Sequence, residues 1–147
     1  MKLSQIKIIK PLKMSPVDSK YWKLTDDYAV NFVTNEGTYK LYLKAGWVTD
    51  LRSGSDAINC IVPKWGNELY MAVILFHDCC WSGHLSRGLS NEFLKQGMVL
   101  SGEVGTLRAS LAFYGVSKFG TCYNLDDELP EPYTLNRLFE KVTIDDK

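Results

Sequence analysis

The apolar segment from Leu69 to Phe76 limits the possible folds of this chain more than any other feature. Apolar residues occupy nearly every position, so a helix through the segment has no polar face, which is typical of a helix buried on all sides. The longest uninterrupted apolar run, Met71 to Phe76, is far shorter than the ~20 residues that cross a bilayer. We therefore predict no transmembrane segment and a central buried helix from about Asn67, its N-cap, to Trp81, with Gly83 just past its end.

Strand-forming segments precede this helix. A short strand is predicted at Ile6–Ile9, ended by Pro11. Two segments rich in β-branched and aromatic residues, 28–34 and 38–43, flank Asn35-Glu36-Gly37. The glycine can adopt the positive φ angle that such turns require. The sequence therefore predicts a β-hairpin over residues 28–43.

Two further helices are predicted after the buried one. Ser86 is a suitable N-cap for a helix that ends near residue 100, and Leu107 begins a helix that ends near residue 118. A last turn of helix is expected near residues 135–141. Because the strands precede the helices instead of alternating with them, the predicted fold class is α+β. We expect a small N-terminal antiparallel sheet, the hairpin, packed on a bundle of two to three helices.

The length of 147 residues is that of one domain, and we predict a single domain over residues 1–147. Within it we expect a basic N-terminal arm with a short strand at 1–25, a core at 26–122 and an acidic extended tail at 123–147. The first 23 residues contain six lysines and one acidic residue, whereas residues 126–147 contain seven acidic and three basic residues. These oppositely charged ends could attract each other or a protein partner.

The overall charge excludes one class of partner. The chain has 17 basic and 17 acidic residues and a formal net charge of zero, whereas a protein that binds bulk nucleic acid needs a cationic surplus. The first residues lack the ~7–15-residue apolar core of a secretion signal. Four cysteines, two of them adjacent, do not resemble a disulfide framework. We therefore expect reduced thiols, in a cytoplasm or inside a particle.

His77 and Asp78, near the end of the predicted buried helix, are the candidates for chemistry. Two ionisable groups at such a position are costly unless they are paired or hydrogen-bonded. Candidate partners are Asp50 in an irregular loop, and Arg87 and Asn91, which are four residues apart on one face of the second helix. In a functional interpretation His77 takes a proton from water. In a structural interpretation Asp78 pairs with Arg87 and His77 bonds a backbone carbonyl.

A divalent cation, calcium or zinc, is a candidate ligand of this cluster. Asp78, joined by Asp50, could hold it beside the water that His77 activates. Cys79, Cys80 and His84, with His77 nearby, are a second candidate set for zinc, although they lack the spacing of common zinc motifs. Backbone groups of the glycine-containing loop at residues 45–55 could also contribute to a calcium or anion site.

Three separated motifs resemble a phage and prophage family catalogued as a domain of unknown function. They are Thr49-Asp50-Leu51-x-Ser53, His77-Asp78-x-x-Trp81 and Ser86-Arg87-x-x-x-Asn91-x-Phe93, and the similarity covers about residues 28–120. Two positions depart from the family pattern, since Asn91 stands where an aspartate is usual and Arg52 where a small residue is usual. Asn91 could accept a hydrogen bond from His77 but could not stabilise an imidazolium by charge.

A shorter similarity concerns the helix end alone. His77-Asp78-Cys79-Cys80-Trp81 resembles the His-Asp helix of secreted phospholipases A2. That resemblance implies His77 as the base, Asp78 as a calcium ligand, the loop at residues 46–55 as a carbonyl donor and Asn91 as the residue that orients His77. The paired cysteines that precede the histidine in that family are replaced here by Val73 and Ile74.

Two hypotheses about function follow from these patterns. The first is a non-catalytic phage accessory protein, either a virion or assembly component or a binder of a host factor, located in the host cytoplasm or in the virion. Its partner is then a protein, another phage subunit or a host factor, and the polar cluster is a buried network that specifies the core. The second is a small hydrolase in which His77 activates water, Asp78 and Asp50 hold a cation, and Arg87 stabilises developing negative charge.

Overall fold

The structure, a computed structural model, describes residues 1–51, 63, 65–119 and 123–146. The chain divides into two compact units. The first unit joins both ends of the chain, Met1–Leu51 and Asp126–Lys147, and the second unit is Arg52–Leu125. The C-terminal residues therefore belong to the same unit as the N-terminal strands.

The first unit contains two antiparallel sheets and a short helix, α4 (Asn136–Phe139). The larger sheet has the strand order β1-β4-β5-β7 and the smaller one has the order β2-β3-β6. The strands are β1 (Leu3–Lys10), β2 (Met14–Pro16), β3 (Trp22–Leu24), β4 (Tyr28–Thr34), β5 (Gly37–Leu43), β6 (Val48–Thr49) and β7 (Glu140–Asp146).

The predicted hairpin is confirmed, and its alternating pattern explains why it forms. Along β4 and β5 every second residue is buried, which places one face of the sheet in the core of this unit. Tyr28 pairs with Leu43 at one end of the hairpin and Thr34 pairs with Gly37 at the turn. Gly37 has a φ of 150°, and a Cβ atom there would lie 2.5 Å from the backbone oxygen of Asp145, so this position requires glycine.

The described residues of the second unit form three helices: α1 (Glu68–Cys79), α2 (Arg87–Leu100) and α3 (Thr106–Phe119). A π-helical turn, Cys80–His84, follows α1 directly. Tyr70 to Phe76 are all buried, which confirms the central buried helix. Helix α1 packs on α2, where the Phe76 and Phe93 rings meet edge to face with centroids 4.9 Å apart.

The α+β fold class is confirmed, and the differences from prediction lie in short or terminal elements. The three helices lie where the sequence predicts them, and Asn67 and Ser86 cap α1 and α2 through bonds to the backbone N–H groups of Tyr70 and Leu89. The strands β2, β3, β6 and β7 were not predicted. Within the described residues no helix has both the length and the apolar character needed to cross a membrane.

Candidate functional site

The last turn of α1 positions His77 in the second unit. Asn67 caps the other end of this helix, where its Oδ1 accepts a bond from the N–H of Tyr70 at 2.9 Å. The apolar residues before His77 are buried on every side, so the direction of the helix is set by packing. His77 itself is half-buried. Its ring is therefore held by the protein interior on one side.

Asn91 in α2 is the hydrogen-bond partner of His77. The distance from His77 Nε2 to Asn91 Oδ1 is 3.1 Å, and Asn91 is 4% exposed. An amide oxygen has no hydrogen, so the proton of this bond is on Nε2. The neutral ring then has its lone pair on Nδ1. Of the three partners that the sequence proposes for His77, Asn91 is the one with this bond.

Ser117 in α3 extends the hydrogen-bond network that begins with His77 and Asn91. Asn91 Nδ2 donates to Ser117 Oγ at 3.3 Å, and Arg87 Nη2 donates to the backbone oxygen of Ser117 at 2.9 Å. That oxygen belongs to the last turn of α3, where carbonyls have no partner within the helix, so Arg87 satisfies one of them. We call His77, Asn91, Ser117 and Arg87 the His77 cluster. It connects α1, α2 and α3.

The pKa of His77 lies below its ordinary value of 6.5. The main cause is burial, which removes water from the charged form, and the hydrogen bond with Asn91 raises the pKa by a smaller amount. Because Asn91 is neutral, it brings no negative charge to hold an imidazolium. His77 is therefore neutral at pH 7.

We expect this lowered pKa to make the unfolding free energy depend on pH. Below about pH 6.5 the unfolded chain takes up a proton on His77 that the folded chain does not. The contribution of His77 to the unfolding free energy is therefore fully present above that pH. It decreases as the pH falls toward the folded-state pKa, by at most about 1.4 kcal/mol per pH unit. Urea unfolding at pH values between about 7.5 and 5 measures this slope.

The substitution His77→Gln tests this assignment, because glutamine does not titrate. It should reduce the slope between about pH 6.5 and 5. Equal slopes for the unsubstituted protein and His77→Gln would contradict the assignment of the dependence to His77.

The proposed cation ligands Asp78 and Asp50 belong to different units of the chain. Asp78 follows His77 in α1 and is half-buried, and its backbone oxygen accepts a bond from Ser82 Oγ at 3.4 Å. Asp50 is 7% exposed and belongs to the first unit, directly after β6. Among the described residues, no group of three or more histidine, cysteine or acidic side chains is arranged to hold a metal ion.

Residues 52–55 of the glycine-containing loop, including Arg52, lie outside the described part of the chain. Two of the four cysteines, Cys60 and Cys122, also lie outside it. Cys79 is fully buried. Trp47, in the described part of the loop, is a core residue of the first unit and donates through Nε1 to Glu140 at 2.9 Å.

Ser117 is the member of the His77 cluster that sequence reasoning missed. A serine on an exposed helix position is common, and nothing adjacent in the sequence marks Ser117 as different. Its role depends on the packing of α3 against α2. Arg87 was predicted as a pairing or charge-stabilising residue, and it donates a hydrogen bond to the backbone oxygen of Ser117.

In comparisons with known proteins, no protein-family model, no curated protein and no solved structure matches this chain.

Proposed function

We propose that this chain is a non-catalytic accessory protein of phage origin whose His77 cluster holds three helices together. The phage origin is inferred from the three motifs at residues 49–53, 77–81 and 86–93. In this proposal the protein is a virion or assembly component, or a binder of a host factor, and acts in the host cytoplasm or in the phage particle. Its partner is a protein, either another phage subunit or the host factor.

The observation that carries this proposal is the neutral amide beside His77. A general base becomes an imidazolium when it accepts a proton, and catalytic sites commonly stabilise that cation with a carboxylate. Here Nε2 bonds Asn91 Oδ1 instead, and burial lowers the pKa of His77. Burial disfavours the charged ring, and the bond to the neutral Asn91 amide offsets this effect only in part. The same bonds satisfy buried polar atoms and specify one packing of the helices, which suits a structural role.

A second candidate function, a small hydrolase, is favoured by the position of the lone pair. With the proton on Nε2, the Nδ1 atom of a neutral His77 is a proton acceptor at pH 7. In this alternative His77 activates water, Asp78 and Asp50 bind calcium or zinc, and Arg87 stabilises negative charge. The substrate is an ester, an amide or a phosphodiester.

The two candidates differ in their response to substrates and to metal. For the accessory protein we expect no hydrolysis of chromogenic esters, anilides or phosphodiesters above the buffer rate. We also expect the same Tm with and without calcium or zinc, because only a ligand that binds the folded state raises Tm. Turnover that His77→Gln abolishes, or a metal-induced rise in Tm that Asp78→Asn abolishes, would contradict this proposal and support the hydrolase.

The variant Asn91→Asp tests whether the neutral amide at this position is the reason that His77 does not act as a catalytic base. A carboxylate at this position favours the charged imidazole, so the pKa of His77 should rise, which a pH titration of the ring NMR signals measures. If the variant gains turnover that the His77→Gln substitution then removes, Asn91 accounts for the absence of catalysis. Turnover in the unsubstituted protein would show that an acid is not needed.

A further inference from the structure

A groove of about 820 Å³ lies in the first unit, on the exposed face of the four-stranded sheet. Its floor consists of outward-facing residues of β4 and β5, and one side is formed by α4 and the start of β7. Every residue that lines it belongs to the first unit, so the groove is a feature of that unit alone. It shares no lining residue with the His77 cluster, whose residues belong to the second unit.

Strand register explains which side chains reach the groove. Residues 29 and 31 of β4, and 40 and 42 of β5, alternate with the buried residues of the two strands and so share the exposed face. Asn31 pairs with Lys40, and Lys40 pairs in turn with Thr143 of β7. Tyr42 pairs with Lys141. The addition of β7 thus brings a lysine from the acidic end of the chain next to the lysine of β5.

The charged groups of the groove are mainly cationic. Lys40, Lys44 and Lys141 line it, and the one acidic residue in the lining is Glu140. Glu140 is 8% exposed, and its Oε2 accepts the bond from Trp47 Nε1. Lys40 pairs with Asp145 at 2.6 Å, but both side chains are about half exposed and such pairs contribute little. A ligand carboxylate can therefore replace Asp145 at small cost.

The lining also exposes large aliphatic side chains. Ile9 is 56% exposed and Leu138 is 74% exposed, although both border a concave surface. Apolar side chains beside several lysines form an amphipathic site, in which burial of an apolar group supplies affinity and the lysines select for negative charge.

We propose that this groove binds an acidic peptide segment that carries a large apolar side chain. The apolar side chain packs between Ile9 and Leu138, and carboxylates meet Lys40, Lys44 and Lys141. Asn31 and Thr143 are available to the peptide backbone. This inference rests on the proposed function, since it names the kind of protein partner that the accessory protein binds.

Single-stranded nucleic acid fits the groove less well, although it is also anionic. Such ligands gain much of their affinity from stacking of bases on exposed aromatic faces. The aromatic residues of the lining are Tyr42 and Phe139. The Lys10 ammonium lies 5.5 Å from the centre of the Tyr42 ring, and the Tyr42 hydroxyl donates to Asp27 at 2.6 Å, so this ring is already engaged.

Fluorescence anisotropy with labelled short peptides tests the proposal on the full chain. The probe is a peptide of glutamate and leucine, compared with one in which glutamine replaces glutamate, one in which serine replaces leucine, and an oligothymidylate. We expect the glutamate–leucine peptide to bind best, with an affinity that decreases between about 0.05 M and 0.5 M salt because the lysines are exposed.

Matched charge reversals locate the binding. Lys44→Glu with Lys141→Glu should weaken binding at least about tenfold, whereas Lys20→Glu with Lys23→Glu, at exposed lysines of the same unit outside the groove, should leave it unchanged. Leu138→Ser should weaken binding several-fold. Circular dichroism melts verify that each variant is folded.

Three outcomes would overturn the inference: no binding of the glutamate–leucine peptide at about 1 mM, equal binding of the glutamate and glutamine peptides, or tighter binding of the oligothymidylate. An equal loss in the two double variants would also overturn it. None of these outcomes affects the proposed non-catalytic function, which fails separately if His77-dependent turnover is found.

Discussion

Gly83→Ala should destabilise the second unit by at least about 2 kcal/mol, because both its backbone conformation and its surroundings require glycine. Gly83 has a φ of 110°, a conformation that costs other residues roughly 1–3 kcal/mol. A Cβ atom would also lie 2.7 to 2.8 Å from backbone atoms of Tyr123, Asn124 and Leu125. Backbone atoms cannot rotate away, so overlap adds roughly 1–3 kcal/mol.

Gly102→Ala is the matched control for this prediction. Gly102 also has a positive φ, 80°, but nothing lies within 4 Å of a Cβ atom built there. The loss of unfolding free energy in Gly102→Ala should therefore come from backbone strain alone. The difference between the two variants in urea unfolding measures the contact of the turn after α1 with residues 123–125. Equal losses would show that this contact is absent in solution.

Residues 123–125, which follow α3, constrain the turn that follows His77 and Asp78, and so they affect the candidate site. Gly83 is the residue in the π-helical turn that allows the chain to leave α1 so close to Tyr123. If the turn is displaced, the last residues of α1 move with it. The NMR signals of His77 should then change in Gly83→Ala and not in Gly102→Ala.

Gly97→Ala should destabilise the protein by about 1–3 kcal/mol, because α1 and α2 touch at this position. A Cβ atom at Gly97 would lie 2.4 Å from Cγ2 and 2.8 Å from Cγ1 of Val73. Both residues are buried, and the branched valine has little freedom to rotate away. The helices must therefore separate, which also lengthens the bond between His77 and Asn91.

Two variants test this explanation. Gly88→Ala, in the same helix but with open space around its Cβ position, should stabilise the protein by up to about 1 kcal/mol through helix propensity. Combining Gly97→Ala with Val73→Ala should cost less than the sum of the single substitutions, by about 0.5–3 kcal/mol of coupling. Additive losses, or similar results for Gly97→Ala and Gly88→Ala, would contradict the close approach of the helices.

Local signals in the sequence were sufficient for the elements that carry the candidate site. Asn67 and Ser86 predict the helix starts because an N-cap acts within three residues. The continuous apolar segment predicts that α1 is buried. The alternation in β4 and β5 predicts the hairpin, since both strands and their turn are adjacent in the chain.

Contacts between distant residues were not predicted. The last residues of the segment at 123–147, predicted to be an acidic extended tail, form β7, where Leu41 of β5 pairs with Val142. Acidic residues weaken the strand signal of this segment, and its partner is about 100 residues away. The cationic groove therefore could not be predicted, because it needs Lys141 beside β5.

By itself, the sequence determined the fold class, the buried helix and the choice of His77 and Asn91 as candidate partners. Only the tertiary structure decided that Ser117 completes the His77 cluster and that β7 completes the sheet. The physical reason is the range of the interactions. Caps, turns and periodicity are set by neighbours in the chain, whereas helix packing and the pairing of terminal strands depend on how the whole core is filled.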